Sequence, residues 1–92
     1  MANAIITFQI MPDDAGIDLE AIKSEAKIIA EKAGSVGDML ITDEPVAFGL
    51  KKIIVKAMYV VDSVDFDTIA ADMAKIEHVQ TADVAGMDLP LG

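Results

Sequence analysis

Residues 45–61, PVAFGLKKIIVKAMYVV, combine a tight corner with the segment that most strongly favours β structure. Residues 50–61 are rich in β-branched side chains and predict a strand. Pro45 and Gly49 frame a turn before it, because proline fixes φ and glycine tolerates backbone conformations that other residues avoid. The large apolar Phe48 between them is unusual for a turn. We therefore expect a strand that starts directly after a corner carrying an aromatic ring.

Apolar spacing on both sides of this strand predicts five more elements. In total we expect strands at 4–11, 36–43, 50–61 and 79–85, and helices at 19–33 and 66–76. Asp18 is a suitable N-cap for the first helix, and Gly34 ends it. Ser63 or Asp65 caps the second helix. We expect residues 86–92 to form a short tail with little tendency to order.

The order β-α-β-β-α-β predicts an α+β fold of the ferredoxin-like type. In this fold a four-stranded antiparallel sheet carries two helices on one face, and right-handed crossovers make it the simplest connection of these elements. Residues 1–92 are enough for one domain. We expect the open face of the sheet to be moderately apolar, which suits either oligomerisation or a binding site. The fold by itself implies no function.

The composition excludes several classes of partner. Sixteen acidic residues stand against seven lysines and no arginine, which gives a formal net charge of -9. Nucleic acids and anionic membranes would repel such a chain, whereas a basic protein would attract it. No apolar run approaches the length of a membrane span, no basic signal region precedes the first strand, and there is no cysteine. We expect a cytoplasmic protein that does not bind nucleic acid directly.

Residues suited to covalent chemistry or metal binding are sparse. His78 is the only histidine, and the serines have neither a base partner nor a nucleophile motif. The adjacent acids Asp13 and Asp14, like Asp43 and Glu44, match no calcium loop and are expected to be solvated. We predict no catalytic residue, no cofactor and no metal site.

Two segments resemble the exchange domain of the translation elongation factor 1-beta family. Residues 45–52, PVAFGLKK, and residues 78–87, HVQTADVAGM, are separated by a βαβ unit of matching length. The first half of the chain agrees in topology and in its opening strand, proline and acidic residues, though less specifically. Because the chain starts at Met1 and contains only this domain, we expect the archaeal form, since eukaryotic members carry additional N-terminal segments.

The resemblance implies a guanine-nucleotide exchange factor. Members of this family release GDP from elongation factor 1-alpha, so that GTP binds and translation elongation continues, and they form or break no covalent bond. By resemblance, Phe48 is the exposed aromatic that enters a pocket on the partner's G domain. The expected partner-binding residues are Pro45, Phe48, Gly49, Lys51, Lys52 and Met87.

Three points stay open on the residues themselves. Phe48 either projects from the corner or folds back onto its own core. Lys51 and Lys52 either meet acids on the partner or keep a strand end in solution. In eukaryotic members a lysine after the matching methionine reaches toward the partner's magnesium, but here Asp88 follows Met87 and no lysine comes later. We therefore assign magnesium displacement to no residue.

Exchange on elongation factor 1-alpha is the function that the sequence favours. The alternative is a small homo-oligomeric regulatory or ligand-sensing domain with the same topology. The sequence does not define the oligomeric state, and we favour a monomer. Release of fluorescent GDP from the loaded partner separates these two functions.

Overall fold

The computed structural model describes residues 3–60 and 64–88, except for the side chain of Phe48. Along these residues run strand β1 (Asn3–Pro12), helix α1 (Leu19–Lys32), β2 (Val36–Pro45), β3 (Lys51–Val60), helix α2 (Phe66–Ala74) and β4 (Val79–Asp88). A short 3-10 turn at Ala47–Gly49 joins β2 to β3. The predicted β-α-β-β-α-β order is confirmed.

The four strands form one antiparallel sheet in the order β2-β3-β1-β4. In the central pair, Phe8 lies opposite Val55 and Ala4 lies opposite Tyr59, and all four residues are buried. Because side chains alternate across a strand, this register places one continuous apolar face beneath the helices. The ferredoxin-like α+β fold expected from the sequence is thus confirmed.

Both helices pack on that apolar face. The core contains Ile22, Ala26 and Ala30 from α1 and Ile69, Ala70 and Met73 from α2. The opposite face of the sheet is mixed, because apolar residues alternate with polar ones. Its partly or fully buried members on the central strands include Ile5, Thr7, Gln9, Lys52, Ile54 and Met58.

The helix boundaries follow from their caps. The Asp18 carboxylate accepts from the Glu20 amide at 3.1 Å, and Gly34 follows α1 with φ of 103°. The Asp65 carboxylate accepts from the Thr68 hydroxyl at 2.9 Å and from the amides of Thr68 and Asp67, and these bonds, the hydroxyl bond most, lower the pKa of Asp65. Asp65 is therefore the N-cap of α2, and the alternative cap Ser63 lies outside the described residues.

Three strands extend beyond their predicted ends, whereas β3 starts at Lys51, one residue after its predicted start, and its predicted last residue Val61 lies outside the described part. The expectation of a loose tail is wrong for Gly86, Met87 and Asp88, because these residues pair with β1 and belong to β4. The other predicted tail residues, 89–92, lie outside the described part. β2 reaches Pro45, two residues past the prediction, and β1 runs through Pro12. α2 ends at Ala74, so that Ile76 follows the helix instead of completing it.

Across residues 3–60 and 64–88, no helix is long and apolar enough to span a membrane. Within the same ranges, no three acidic or histidine side chains converge in a way that would hold a metal ion.

Candidate functional site

The corner between β2 and β3 is a closed turn of the backbone. Pro45 lies opposite Lys51 at the last pair of the two strands. Beyond that pair, the Val46 amide donates to the Leu50 carbonyl at 2.8 Å, and the Leu50 amide donates to the Ala47 carbonyl at 3.3 Å. Gly49 has φ of 78°, a conformation in which any side chain would be strained. Phe48 therefore sits in the middle of a turn with a defined backbone path.

The corner lies close to the loop that joins β1 to α1. A Cβ placed on Gly49 would lie 3.9 Å from the Cβ of Ala15, which is ordinary van der Waals contact. Val46, at the start of the turn, is 37% exposed. The Phe48 side chain lies outside the described part of the structure, so whether it projects or folds back stays a prediction.

Both lysines that follow the corner have acidic neighbours within the chain. Lys51 Nζ lies 3.9 Å from Asp43 Oδ2, and Lys52 Nζ lies 3.9 Å from Glu44 Oε2. Contacts of this length between partly exposed side chains are weak. The two lysines point to opposite faces of the sheet, because adjacent residues of a strand alternate. They therefore do not form one cationic patch.

Asp43 has a shorter contact that sequence reasoning missed. Lys23 of α1 donates to Asp43 Oδ1 at 3.0 Å and also lies 3.7 Å from Glu20 Oε1. The hydrogen bond from Lys23 lowers the pKa of Asp43, and the same bond raises the pKa of Lys23. The two residues are 20 positions apart, and no motif announces their contact. Only the packing of α1 on the sheet brings them together.

Met87 lies far from the corner. It pairs with Ile6 of β1, whereas the corner precedes β3, whose first residues lie near Pro12 of β1. Six residues of β1 separate these positions, which corresponds to about 20 Å. A bulge in β4 between Val84 and Gly86 precedes Met87, whose side chain is 50% exposed. The structure thus groups Pro45, Phe48, Gly49, Lys51 and Lys52 by backbone position and leaves Met87 at the opposite end of the sheet.

The turn between α2 and β4 lies at the same end as the corner. The Asp13 amide donates to the His78 carbonyl at 2.9 Å, which ties this turn to the end of β1. His78 has φ of 69°, and its ring lies 3.5 Å from Glu77 and 3.9 Å from Asp13. His78 is half-exposed, and no metal-ligand cluster surrounds it among the described residues. Its carbonyl and its left-handed backbone serve the turn.

Comparison with known proteins relates the whole chain to one family. Residues 5–89 match the sequence pattern of the EF-1 guanine nucleotide exchange domain. The chain is 30% identical to elongation factor 1-beta of Methanosphaerula palustris over 97% of its length and 99% of the relative's. It is 28% identical to elongation factor 1-beta of Archaeoglobus fulgidus over the same shares of the two chains. Elongation factor 1-beta of Methanothermobacter thermautotrophicus is 33% identical over 91% of this chain and 92% of its own.

Proposed function

The chain belongs to the family of EF-1 guanine nucleotide exchange domains, and on this premise we propose that it uses the corner at residues 45–52 to release GDP from elongation factor 1-alpha. It is an exchange factor and not an enzyme, because the reaction makes and breaks no covalent bond. The observation that carries the proposal is the closed backbone turn at Ala47–Gly49, in the segment that resembles the family.

Exchange is a coupling between two binding events. The factor and GDP must weaken each other's binding to the same GTPase, and this weakening is reciprocal. A factor that bound the GDP form and the empty form equally well would shift nothing. The useful contact is therefore one that only the nucleotide-free conformation of the partner accommodates.

A preorganised corner suits such a contact. Two backbone hydrogen bonds close the turn, and Gly49 adopts a conformation that lets β3 return beside β2. A turn that is ordered before binding loses little conformational entropy when it docks. In our proposal, Phe48 projects from this frame and inserts into an apolar pocket of the partner, and Pro45 and Gly49 hold its backbone.

We assign a second contact to Met87 at the opposite end of the sheet. Its half-exposed side chain follows a bulge in an edge strand, where a partner can reach it. Two contacts about 20 Å apart along the strands would allow one domain to hold two parts of the GTPase at a fixed separation. Asp88 follows Met87 and carries the wrong charge for attracting phosphates, so we assign no role in magnesium displacement.

Substitution of Phe48 tests the corner directly. Phe48→Ala should weaken binding to the nucleotide-free partner by about 2–4 kcal/mol, as for a central interface anchor. The rate of fluorescent GDP release from loaded elongation factor 1-alpha should fall accordingly. The free energy of unfolding should change little, because the proposed ring is not part of the core.

Phe8 provides the matched control, because it is completely buried on β1. Phe8→Ala should destabilise the fold by about 3–5 kcal/mol. Any of this variant that remains folded should exchange GDP normally. A Phe48→Ala protein that is unstable but exchanges GDP at the normal rate would show that the ring belongs to the core.

We further propose that the chain acts as one domain, as a monomer and in the cytoplasm, where its partner works. Sedimentation velocity of the chain alone and with nucleotide-free partner should give a monomer and a one-to-one complex. A stable dimer would contradict the monomer and would revive the homo-oligomeric alternative for the open sheet face.

A further inference from the structure

Asp43 lies where helix α1 meets both arms of the corner. Its two carboxylate oxygens face different lysines, with Lys23 of α1 at 3.0 Å from Oδ1 and Lys51 of β3 at 3.9 Å from Oδ2. Asp43 precedes Pro45 by two residues on β2, and Lys51 is the residue opposite Pro45. One side chain near the end of β2 therefore contacts both the first residue of β3 and the first half of α1.

The environment favours this contact over an ordinary surface ion pair. The Lys23 side chain is 19% exposed and Asp43 is 30% exposed, so the pair is partly shielded from water. A short charge-assisted hydrogen bond in a partly buried setting is stronger and better defined than an exposed pair. This bond is the first cause of the lowered pKa of Asp43 and of the raised pKa of Lys23, so it widens the pH range over which both groups are charged.

The neighbouring acid provides a natural comparison. Glu44 lies on the other face of β2, opposite Lys52, and approaches it only to 3.9 Å. Glu44 is 56% exposed, and among the described residues no ion pair joins it to a helix. The two acids therefore carry the same charge at adjacent positions, but only Asp43 links the corner to the helical layer.

We propose that Asp43 is a positioning residue for exchange, which holds the corner at a fixed angle to α1 through its short hydrogen bond with Lys23, while the longer contact with Lys51 adds little. This inference rests on the proposed function of the corner. A corner that swings away from α1 would still dock on the partner, but it would transmit less distortion to the nucleotide site. Asp43 itself need not contact the partner.

The experiment compares Asp43→Asn with Glu44→Gln, which removes the same charge one residue away. Amide hydrogen exchange of Val46 and Leu50 reports the corner directly, because these amides donate the two hydrogen bonds of the turn. Asp43→Asn should speed hydrogen exchange of the Val46 amide about fivefold relative to the parent chain. Glu44→Gln should leave it unchanged.

Stimulated GDP release separates positioning from affinity. Asp43→Asn should lower the maximal rate at saturating factor about fivefold, the low end of typical coupling between sites. The half-saturating concentration should shift equally in Asp43→Asn and Glu44→Gln, because both lose one negative charge. The charge-swapped pair Lys23→Asp with Asp43→Lys should recover part of the maximal rate and of the Val46 protection.

Comparison with Phe48→Ala separates a failure of the positioning role of Asp43 from a failure of the proposed function of the corner. If Phe48→Ala is impaired while Asp43→Asn is normal in both assays, the positioning role is wrong and the corner still acts. If Phe48→Ala releases GDP normally, the function of the corner is wrong. In that case the hydrogen-exchange rate of the Val46 amide still tests whether Asp43 holds the corner. An unchanged rate in Asp43→Asn overturns this role, and a faster rate supports it.

Discussion

Tyr59 places a phenol in the middle of the apolar core. Its hydroxyl donates to the carbonyl oxygen of Ala30 at 3.0 Å, near the end of α1. Its ring meets Phe66 of α2 at a centroid distance of 5.6 Å in a tilted arrangement. A single side chain of β3 therefore contacts both helices, and the ring and the hydroxyl contribute separately. Burial raises the pKa of Tyr59 to about 12.

The raised pKa of Tyr59 predicts a loss of stability at high pH. The folded state keeps the phenol neutral up to about 12, whereas the unfolded chain releases the proton near 10. The contribution is therefore complete below about pH 10 and is lost as pH rises toward the folded pKa. Because the chain has one tyrosine, tyrosinate absorbance and far-ultraviolet circular dichroism should report ionisation together with unfolding.

Tyr59→Phe is the control for this titration, because other groups such as lysines also titrate at high pH. The variant should lose about 1 kcal/mol of stability at neutral pH, since the hydrogen bond to Ala30 disappears. It should also show a smaller fall in stability above pH 10 than the parent chain. Ionisation of the tyrosine near pH 10 in a chain that remains folded would contradict the buried phenol.

The strands illustrate what periodicity predicts and what it does not. Alternation of apolar residues predicted β1 and β-branched residues predicted β3, because both strands lie in the middle of the sheet with one face buried. The end of β4 was missed because Gly86 and Asp88 have low intrinsic preference for strands. Pairing with β1 holds these residues in the sheet. A local sequence pattern does not predict this pairing, because β1 is distant in sequence.

The candidate site divides in the same way. The corner was predictable, since proline and glycine mark turns and an apolar β-branched run marks the strand that follows. The Lys23–Asp43 contact was not, because it depends on how α1 lies over the sheet. Likewise, the segments that resemble the family start at Pro45 and end at Met87. Only the strand register shows that these two residues lie at opposite ends of the sheet.

Two truncations test the end of β4. Removing residues 88–92 deletes Asp88, the last residue of β4 that the structure describes, and no lysine. Stability should fall by about 1 kcal/mol or less, and most of the exchange activity should remain. Removing residues 85–92 also deletes Gly86 and Met87, which exposes the edge of β1 and should destabilise the domain much more. Thermal unfolding and GDP release are measured on both proteins.

The outcome separates the strand from the residues beyond it. If the chain that ends at Met87 stays folded but no longer releases GDP, residues 88–92 act directly on the partner and the assignment of the far contact to Met87 is wrong. If both truncated chains exchange GDP normally, the far end of the sheet takes no part in exchange and the corner is sufficient.

The charge of the whole molecule affects how it meets its partner. The formal net charge is -9, and ion pairs with acids of the same chain already engage Lys23, Lys51, Lys52 and Lys75. The field at a distance is therefore negative, and it favours encounter with a basic surface. The contacts that the corner makes with the partner contribute only after this encounter, because apolar and hydrogen-bond contacts act over a few ångströms.

Ionic strength should therefore change the association rate more than the final contacts. The screening length falls from about 30 Å at 0.01 M salt to about 8 Å at 0.15 M, so the association rate with nucleotide-free elongation factor 1-alpha should decrease over this range. Phe48→Ala keeps the net charge, so it should show the same salt slope for association while dissociating faster. Stopped-flow fluorescence measures both rates. A salt-independent association rate would mean that the acidity serves solubility, and nanomolar binding to RNA at physiological salt would contradict the electrostatic exclusion of nucleic acids.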